Sequence, residues 1–151
     1  MEYMFLPFKR YFDFQGRSRR KEYWLFTLLN VVVIMGLLLV SLGGAGLAAV
    51  ADPDASEMET MGAIFGGGLG ILVLLWVLAV FIPSIAVTVR RFHDRDMSGW
   101  WYLGFLVGGM IPYIGFIVSI ALLVIMALPG TPGPNRFGPD PKNPTSADVF
   151  E

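Results

Sequence analysis

The stretch that decides the fold runs from Tyr23 to Ala51 and reads YWLFTLLNVVVIMGLLLVSLGGAGLAAVA, without a single Asp, Glu, Lys or Arg. A helix needs about 20 apolar residues to cross the hydrocarbon core of a bilayer. Between Val31 and Val40 only Gly36 is not a large apolar residue, whereas a soluble surface helix would need a polar face there. The stretch therefore predicts a transmembrane helix.

Two further runs also lack charged residues, from Thr60 to Val89 and from Met97 to Asn135. The whole chain is 55% hydrophobic, only 15% charged and has a mean hydropathy of +0.63, a composition that excludes an ordinary soluble domain. We predict an all-α polytopic transmembrane helical bundle in a single membrane domain over 1–142, with 143–151 as a disordered tail. The predicted spans are about 23–50, 61–89 and 100–128.

The third run has two interpretations, because Pro112 and Gly115 divide it. A single kinked span, which we favour slightly, would place the C-terminal tail outside. The alternative is a re-entrant pair of short helices that turns at Ile111 and Pro112, which adds a fourth helix and returns the tail to the inside.

The distribution of basic residues predicts the orientation. Six of the eleven Lys and Arg residues precede the first run, and none lies in the first loop. That loop is acidic, whereas the second loop is basic, with Arg90, Arg91 and Arg95. The positive-inside rule therefore predicts a multi-pass membrane protein with the N-terminus and the second loop in the cytoplasm.

The first 14 residues alternate aromatic side chains with a few charges. This pattern predicts a short interfacial helix on the cytoplasmic leaflet, a turn at Gly16 and the start of the next helix near Ser18. The sequence Ala49-Val50-Ala51 is similar to a signal-peptidase site, but the apolar stretch before it is too long for a signal peptide, so we expect no cleavage.

Glycines recur every four residues in the second and third runs. Small residues at this spacing let helix backbones approach closely, within the protein or between copies. Glycine is also simply common in membrane helices, and both interpretations stay open. The glycines predicted to take part in helix packing are Gly62, Gly66, Gly70, Gly104 and Gly108.

The densest polar cluster runs from Arg90 to Asp96, directly after the second run. It is typical of a positive-inside stop signal whose charges pair with one another and with lipid phosphates. The arginines are also suited to holding an anionic headgroup by bidentate contacts, and a proton-handling site on His93 and Asp94 is a third interpretation. The candidate residues for binding lipid or a partner are Arg17, Arg20, Arg90, Arg91, His93, Asp94 and Arg136.

Several kinds of chemistry find no support in the residues. There is no Cys and only one His, so we expect no metal site, no cofactor and no thiol chemistry. No nucleophile and base occur in a catalytic pattern, and Gly130 to Gly138 lacks the ending of a phosphate-binding loop. We name no catalytic residue, and nothing points to nucleic acid.

Four motifs in order resemble domain of unknown function family 805 (DUF805), a family of small bacterial inner-membrane proteins. The motifs are Gly16-Arg17-Ser18-Arg19-Arg20-Lys21-Glu22-Tyr23-Trp24, Arg90-Arg91-Phe92-His93-Asp94 with Ser98-Gly99-Trp100-Trp101, Ile111-Pro112-Tyr113-Ile114-Gly115, and the segment from Pro129 to Pro141. The resemblance covers roughly residues 3–142. It implies a location in the bacterial cytoplasmic (inner) membrane, a small α-helical membrane fold and no known reaction.

Three functions compete. The leading hypothesis is a non-enzymatic module that binds anionic lipid headgroups or a partner protein at the cytoplasmic face. The second is a subunit of a transporter or channel, which would require a homo-oligomer or another membrane protein, since three spans are few for a pathway. The third is an enzyme acting on a lipid-linked phosphate, with His93 as acid and base.

Overall fold

The computed structural model describes residues 2–41, 47–65 and 68–142. In this part of the chain every regular element is helical, as the sequence predicts. The helices are α1 (Glu2–Lys9), α2 (Arg20–Ser41), α3 (Leu47–Ala51), α4 (Glu57–Phe65), α5 (Gly68–His93), α6 (Trp101–Gly109) and α7 (Ile114–Ala127).

Two of these helices, α2 and α5, are long and apolar enough to cross a membrane. They arise from the first two runs, but α2 begins within the basic segment at Arg20 and continues to Ser41. The predicted first span of 23–50 includes residues 42–46, which lie outside the described residues. Helix α5 continues through Pro83 to His93 and carries Arg90 and Arg91 in its last turn.

The third run forms two short helices instead of the single kinked span that we favoured. Helix α6 has 9 residues and α7 has 14, and both are below spanning length. A Cβ on Gly108 would lie 3.3 Å from Cγ2 of Val118, so the two helices pack as an antiparallel hairpin. Pro112 and Tyr113 lie in the turn. Proline has no backbone amide to donate, so it does not favour a continuous helix here, and Tyr113 has a φ of +67°.

The second run contains two described helices. Helix α4 ends at Phe65 and α5 begins at Gly68, and residues 66 and 67 lie outside the described residues. Gly62 is in α4 and Gly70 is in α5. The packing role of Gly62, Gly66 and Gly70 stays a prediction.

The chain forms two compact units. One contains the described parts of Met1–Phe26 and Ile82–Glu151. Its buried apolar side chains include Phe26, Val87, Phe92 and Met126, which come from α2, α5 and α7. Phe8 of α1 packs edge-on against Phe26 at 5.4 Å between ring centroids, so α1 folds onto the beginning of α2.

The second unit is Thr27–Phe81. Large aliphatic side chains on both of its long helices are exposed, among them Val32, Leu39, Leu72 and Leu78, each about half exposed or more. An exposed apolar surface of this extent is not expected in water. It is the surface expected of helices surrounded by lipid.

Candidate functional site

The most densely bonded part of the first unit is a buried ion-pair network around Asp94, directly after α5. The guanidinium of Arg17 donates from Nε to Oδ1 of Asp94 at 3.0 Å, and Arg91 donates to Oδ2. All three side chains are buried. One carboxylate therefore pairs with two guanidinium groups from different parts of the chain.

A second buried pair joins the ends of α2 and α5. Arg90 donates to Oε1 of Glu22 at 3.0 Å and to Oγ of Ser18 at 2.9 Å. Its remaining nitrogen donates to the carbonyl oxygens of Arg10 and Asp13. Arg90 thus fixes the N-terminal segment against the last turn of α5.

The segment 129–142, here called the tail segment, lies against the same network. Arg17 donates to the carbonyl oxygens of Thr131 and Gly133, both at 2.6 Å. The amide of Thr131 donates to the carbonyl oxygen of Asp94 at 2.8 Å. A Cβ on Gly130 would lie 2.0 Å from Oδ2 of Asp94, so glycine is required for this close approach.

Arginines also hold the carboxyl end of α7. Arg91 donates to the carbonyl oxygens of Met126 and Leu128, and Arg20 donates to that of Ala127 at 3.2 Å. The last carbonyls of a helix have no partner within it and carry partial negative charge, so cations there are stabilising. The contacts fix the end of the hairpin beside the end of α5.

The network contains three buried cations, Arg17, Arg90 and Arg91, and two buried anions, Glu22 and Asp94. Burial of an ion costs several kcal/mol unless other groups replace its hydration. Here backbone carbonyl oxygens supply much of that replacement. Because protein atoms already accept from these guanidinium groups, the geometry is that of a structural clamp between chain segments.

Other candidate residues lie near the surface. Arg20 is exposed, and with Lys21, Trp24, Leu25 and Ala127 it lines an open groove of about 570 Å³. Arg136 is also exposed and pairs with Asp96, with Nε and Oδ1 3.1 Å apart. Of the predicted cations, Arg20 is therefore both exposed and part of the lining of this groove.

His93 is held from two sides. Its Nδ1 lies 3.2 Å from the carbonyl oxygen of Gly16, and its ring stacks on Phe137 with centroids 3.9 Å apart. Asn135 donates to the carbonyl oxygen of His93 at 2.9 Å. The imidazole is thus oriented by the N-terminal segment and by the tail segment together.

Asp140 helps to shape the tail segment. The amide of Lys142 donates to its Oδ1 at 2.9 Å, and the amide of Gly133 donates to Oδ2 at 3.2 Å. The first of these bonds is the main reason why the pKa of Asp140 is lowered below its usual value, and the Gly133 amide and the charge of Arg17 lower it further. The carboxylate therefore closes the loop in its ionised form.

The structure brings together most of the predicted binding residues, but in different roles. Arg17, Arg90, Arg91 and Asp94 are internal, whereas Arg20, His93 and Arg136 line or approach the surface. Their binding of lipid or a partner stays a prediction. Of the predicted packing glycines on α6, Gly108 faces Val118 of α7, and Gly104 faces open space.

Sequence reasoning did not identify Glu22, Ser18 or Gly130 as site residues. Glu22 had a visible signal, since it is the only acidic residue between Arg17 and the first apolar run. Nothing in the sequence distinguishes Gly130 from the other glycines of its segment. Among the described residues, no three His, Asp or Glu side chains are grouped so as to hold a metal ion.

The chain is similar to known proteins of one family. The family model described as "Protein of unknown function (DUF805)" matches residues 11–139. The chain is 40% identical to the inner membrane protein YhaH of Escherichia coli K12 over 94% of this chain and 98% of the relative. It is 39% identical to the inner membrane protein YhaI over 94% and 97%. No solved structure matches the chain.

Proposed function

This chain belongs to the DUF805 family, as its motifs indicated, and is a membrane protein of the bacterial inner membrane. We propose that it is a multi-pass, non-enzymatic module that binds anionic phospholipid headgroups at the cytoplasmic face. The observation that supports this most directly is the groove of Arg20, Lys21, Trp24, Leu25 and Ala127.

The groove has a cationic part followed by an apolar part, which matches the phosphate and the acyl chains of a phospholipid. Arg20 and Lys21 are exposed cations in the first turn of α2. Trp24 and Leu25 follow one turn later, and residues four apart lie on the same helix face. A phosphate on the cations would therefore leave an acyl chain beside the tryptophan and leucine side chains. Tryptophan is also typical of the headgroup layer.

Arg17, Arg90 and Arg91 have a different part in this proposal. Their side chains are at most 1% exposed and donate to protein acceptors. We assign them to holding the N-terminal segment, α5 and the tail segment in place. The clamp then fixes Arg20 beside the end of α7, and the lipid contact is made by the exposed pair Arg20 and Lys21.

The proposed orientation has α2 and α5 crossing the membrane and the α6–α7 hairpin entering from the cytoplasmic side. The excess of Lys and Arg in the N-terminal segment and second loop supports a cytoplasmic location for both. The tail segment belongs to the same side because Arg17 and Asp94 bind Thr131. Anionic lipids of the cytoplasmic leaflet attract basic residues at this level.

The test is the double variant Arg20→Glu with Lys21→Glu, reconstituted in nanodiscs that contain phosphatidylglycerol and phosphatidylcholine. We expect the wild type to retain phosphatidylglycerol preferentially after extraction, as measured by native mass spectrometry. The double variant should lose about tenfold in that preference, which corresponds to about 1.4 kcal/mol and is typical of losing a charge-assisted contact.

The matched control is Lys9→Glu with Lys142→Glu, which changes the net charge equally at exposed residues outside the groove. This control should keep the preference of the wild type. An equal loss in both double variants would show attraction by overall charge without a site. Unchanged preference in a folded groove variant would contradict the proposal.

A further inference from the structure

A second pocket in the same unit is lined by different residues and has a different chemical character. Its volume is about 510 Å³, within the range of small-molecule sites. It is lined by Phe14, Ile85, Val89, His93, Ser98, Gly99, Trp100, Tyr102 and Leu103. Apart from His93, these side chains carry no charge at neutral pH, so the pocket does not suit the phosphate expected in the groove of Arg20.

The orientation of His93 determines what it offers to this pocket. The carbonyl oxygen of Gly16 can only accept, so Nδ1 of His93 carries the proton that it receives. In a neutral imidazole the other nitrogen, Nε2, is then a hydrogen-bond acceptor. Within the described residues no donor reaches Nε2, which lies 3.4 Å from the position of a Cβ on the pocket residue Gly99.

The apolar part of the pocket continues from this acceptor along one helix face. Ile85, Val89 and His93 are four residues apart and lie in a row on α5. The row leads from the charged end of the helix toward its apolar middle. Leu103 of α6 lines the same pocket, and Phe14 and Trp100 supply aromatic walls.

We propose that this pocket binds a neutral lipid alcohol of the diacylglycerol class, whose free hydroxyl donates to Nε2 of His93 while its acyl chains lie on Ile85, Val89 and Leu103. A fixed acceptor at the polar end favours a ligand that carries a hydroxyl donor. The uncharged walls disfavour phospholipid and fatty-acid anions, because a buried charge without a partner is costly. The pocket is separate from the Arg20 groove and does not depend on phospholipid binding there.

The first test uses a diacylglycerol with a photoreactive diazirine in one acyl chain, added to the wild-type protein in phosphatidylcholine nanodiscs. We expect labelling of the peptides that contain Ile85, Val89 and Leu103. Unlabelled 1,2-dioleoylglycerol should compete at least tenfold better than its 3-O-methyl ether, which lacks the hydroxyl donor. Equal competition, or labelling confined to other residues, would overturn the proposal.

Two replacements of His93 separate the pocket contact from the structural one. His93→Asn retains a donor for Gly16 but places no acceptor at the pocket, and we expect at least fivefold less labelling. His93→Gln extends its amide oxygen toward the position of Nε2 and should restore much of the yield. Wild-type labelling of a folded His93→Asn protein would contradict the proposal.

Replacement of His93 could impair folding because its ring stacks on Phe137. A third variant therefore tests the pocket without changing His93. Trp100 is 78% exposed, so Trp100→Ala removes a pocket wall with little effect on the core. We expect labelling to fall several-fold at an unchanged melting temperature, and unchanged labelling would count against the site. The variant Arg20→Glu with Lys21→Glu should label like the wild type, since its groove is a separate site.

Discussion

At the scale of single residues, the two buried carboxylates differ in the number of guanidinium groups with which each one pairs. Asp94 pairs with the guanidinium groups of Arg17 and Arg91, whereas Glu22 pairs with Arg90 alone. Arg90 also has Ser18 and two backbone carbonyl oxygens as acceptors. Arg17 and Arg91 also have backbone acceptors. The loss of charge at Asp94 therefore leaves two buried guanidinium groups without a carboxylate, whereas the same loss at Glu22 leaves one.

We predict that Asp94→Asn lowers the free energy of unfolding more than Glu22→Gln does. Removal of one partner from a buried ion pair typically costs about 3–5 kcal/mol, and Asp94 serves two pairs. Unfolding in mixed micelles, followed by circular dichroism, measures both variants. A larger loss for Glu22→Gln would show that the pair with Arg90, and not Asp94, is the centre of the clamp.

The contact between Gly130 and Asp94 yields a second prediction. In Gly130→Ala the new Cβ would lie 2.0 Å from Oδ2 and 2.7 Å from Oδ1 of Asp94. The carboxylate cannot turn away without breaking its bonds to Arg17 and Arg91. Overpacking of this kind costs about 1–3 kcal/mol, which a lower melting temperature would reveal.

The control for this variant is Gly104→Ala in α6. No side chain lies within 4 Å of its new Cβ, and alanine is the better helix former by about 0.5–1 kcal/mol. Gly104→Ala should therefore leave stability unchanged or raise it. If both variants behave alike, the close approach at Gly130 does not exist in the folded protein.

At the scale of elements, the turn between α6 and α7 stores strain. Tyr113 has a φ of +67° although it is not glycine, and its side chain is 96% exposed. A positive φ costs an L-residue roughly 1–2 kcal/mol. Tyr113→Gly should raise the melting temperature because it relieves this cost. Met110→Gly, at an exposed residue with a φ of −80°, should lower it, and the opposite order would contradict the geometry of the turn.

We predict that the stability of the protein depends on pH through Asp140 in the tail segment. Its pKa is lowered in the folded protein by the amides of Lys142 and Gly133 and by Arg17. The stability that it contributes is therefore complete above its unfolded pKa of about 3.9 and disappears as the pH falls through the folded pKa. The difference in melting temperature between wild type and Asp140→Asn should thus be present at pH 6 and shrink below about pH 4. A constant difference would exclude this role for the carboxylate.

At the scale of the whole molecule, the sequence predicted the class of fold, the membrane and the family, because long runs without charge and four local motifs are visible in it. It did not predict that Arg17, Arg90 and Arg91 would be internal, since the partners Glu22, Thr131 and Met126 are distant in sequence. The hairpin was only one of two alternatives, because Pro112 is compatible with both a kink and a turn. The buried arginines depend on partners across the fold, and the hairpin depends on the packing of α6 against α7.

The same pairing predicts that the tail segment lies on the same side of the membrane as the N-terminal segment. Arg17 precedes α2 and donates to Thr131 and Gly133, and Asp94 follows α5 and accepts from Thr131. A tail on the opposite side of the membrane could not make these bonds. We therefore predict that a reporter fused after Glu151 is active when it requires the cytoplasm and inactive when it requires the periplasm.

The control is a pair of the same reporters inserted after Asp54, in the acidic first loop, where the positive-inside rule predicts the reverse pattern. Charge reversal of Arg17 should leave the side of the tail unchanged, because α6 and α7 are each shorter than a membrane span. Periplasmic activity of the reporter after Glu151 would require α6 and α7 to join into one span. It would also separate Thr131 from Arg17 and remove the clamp that holds Arg20 beside the end of α7.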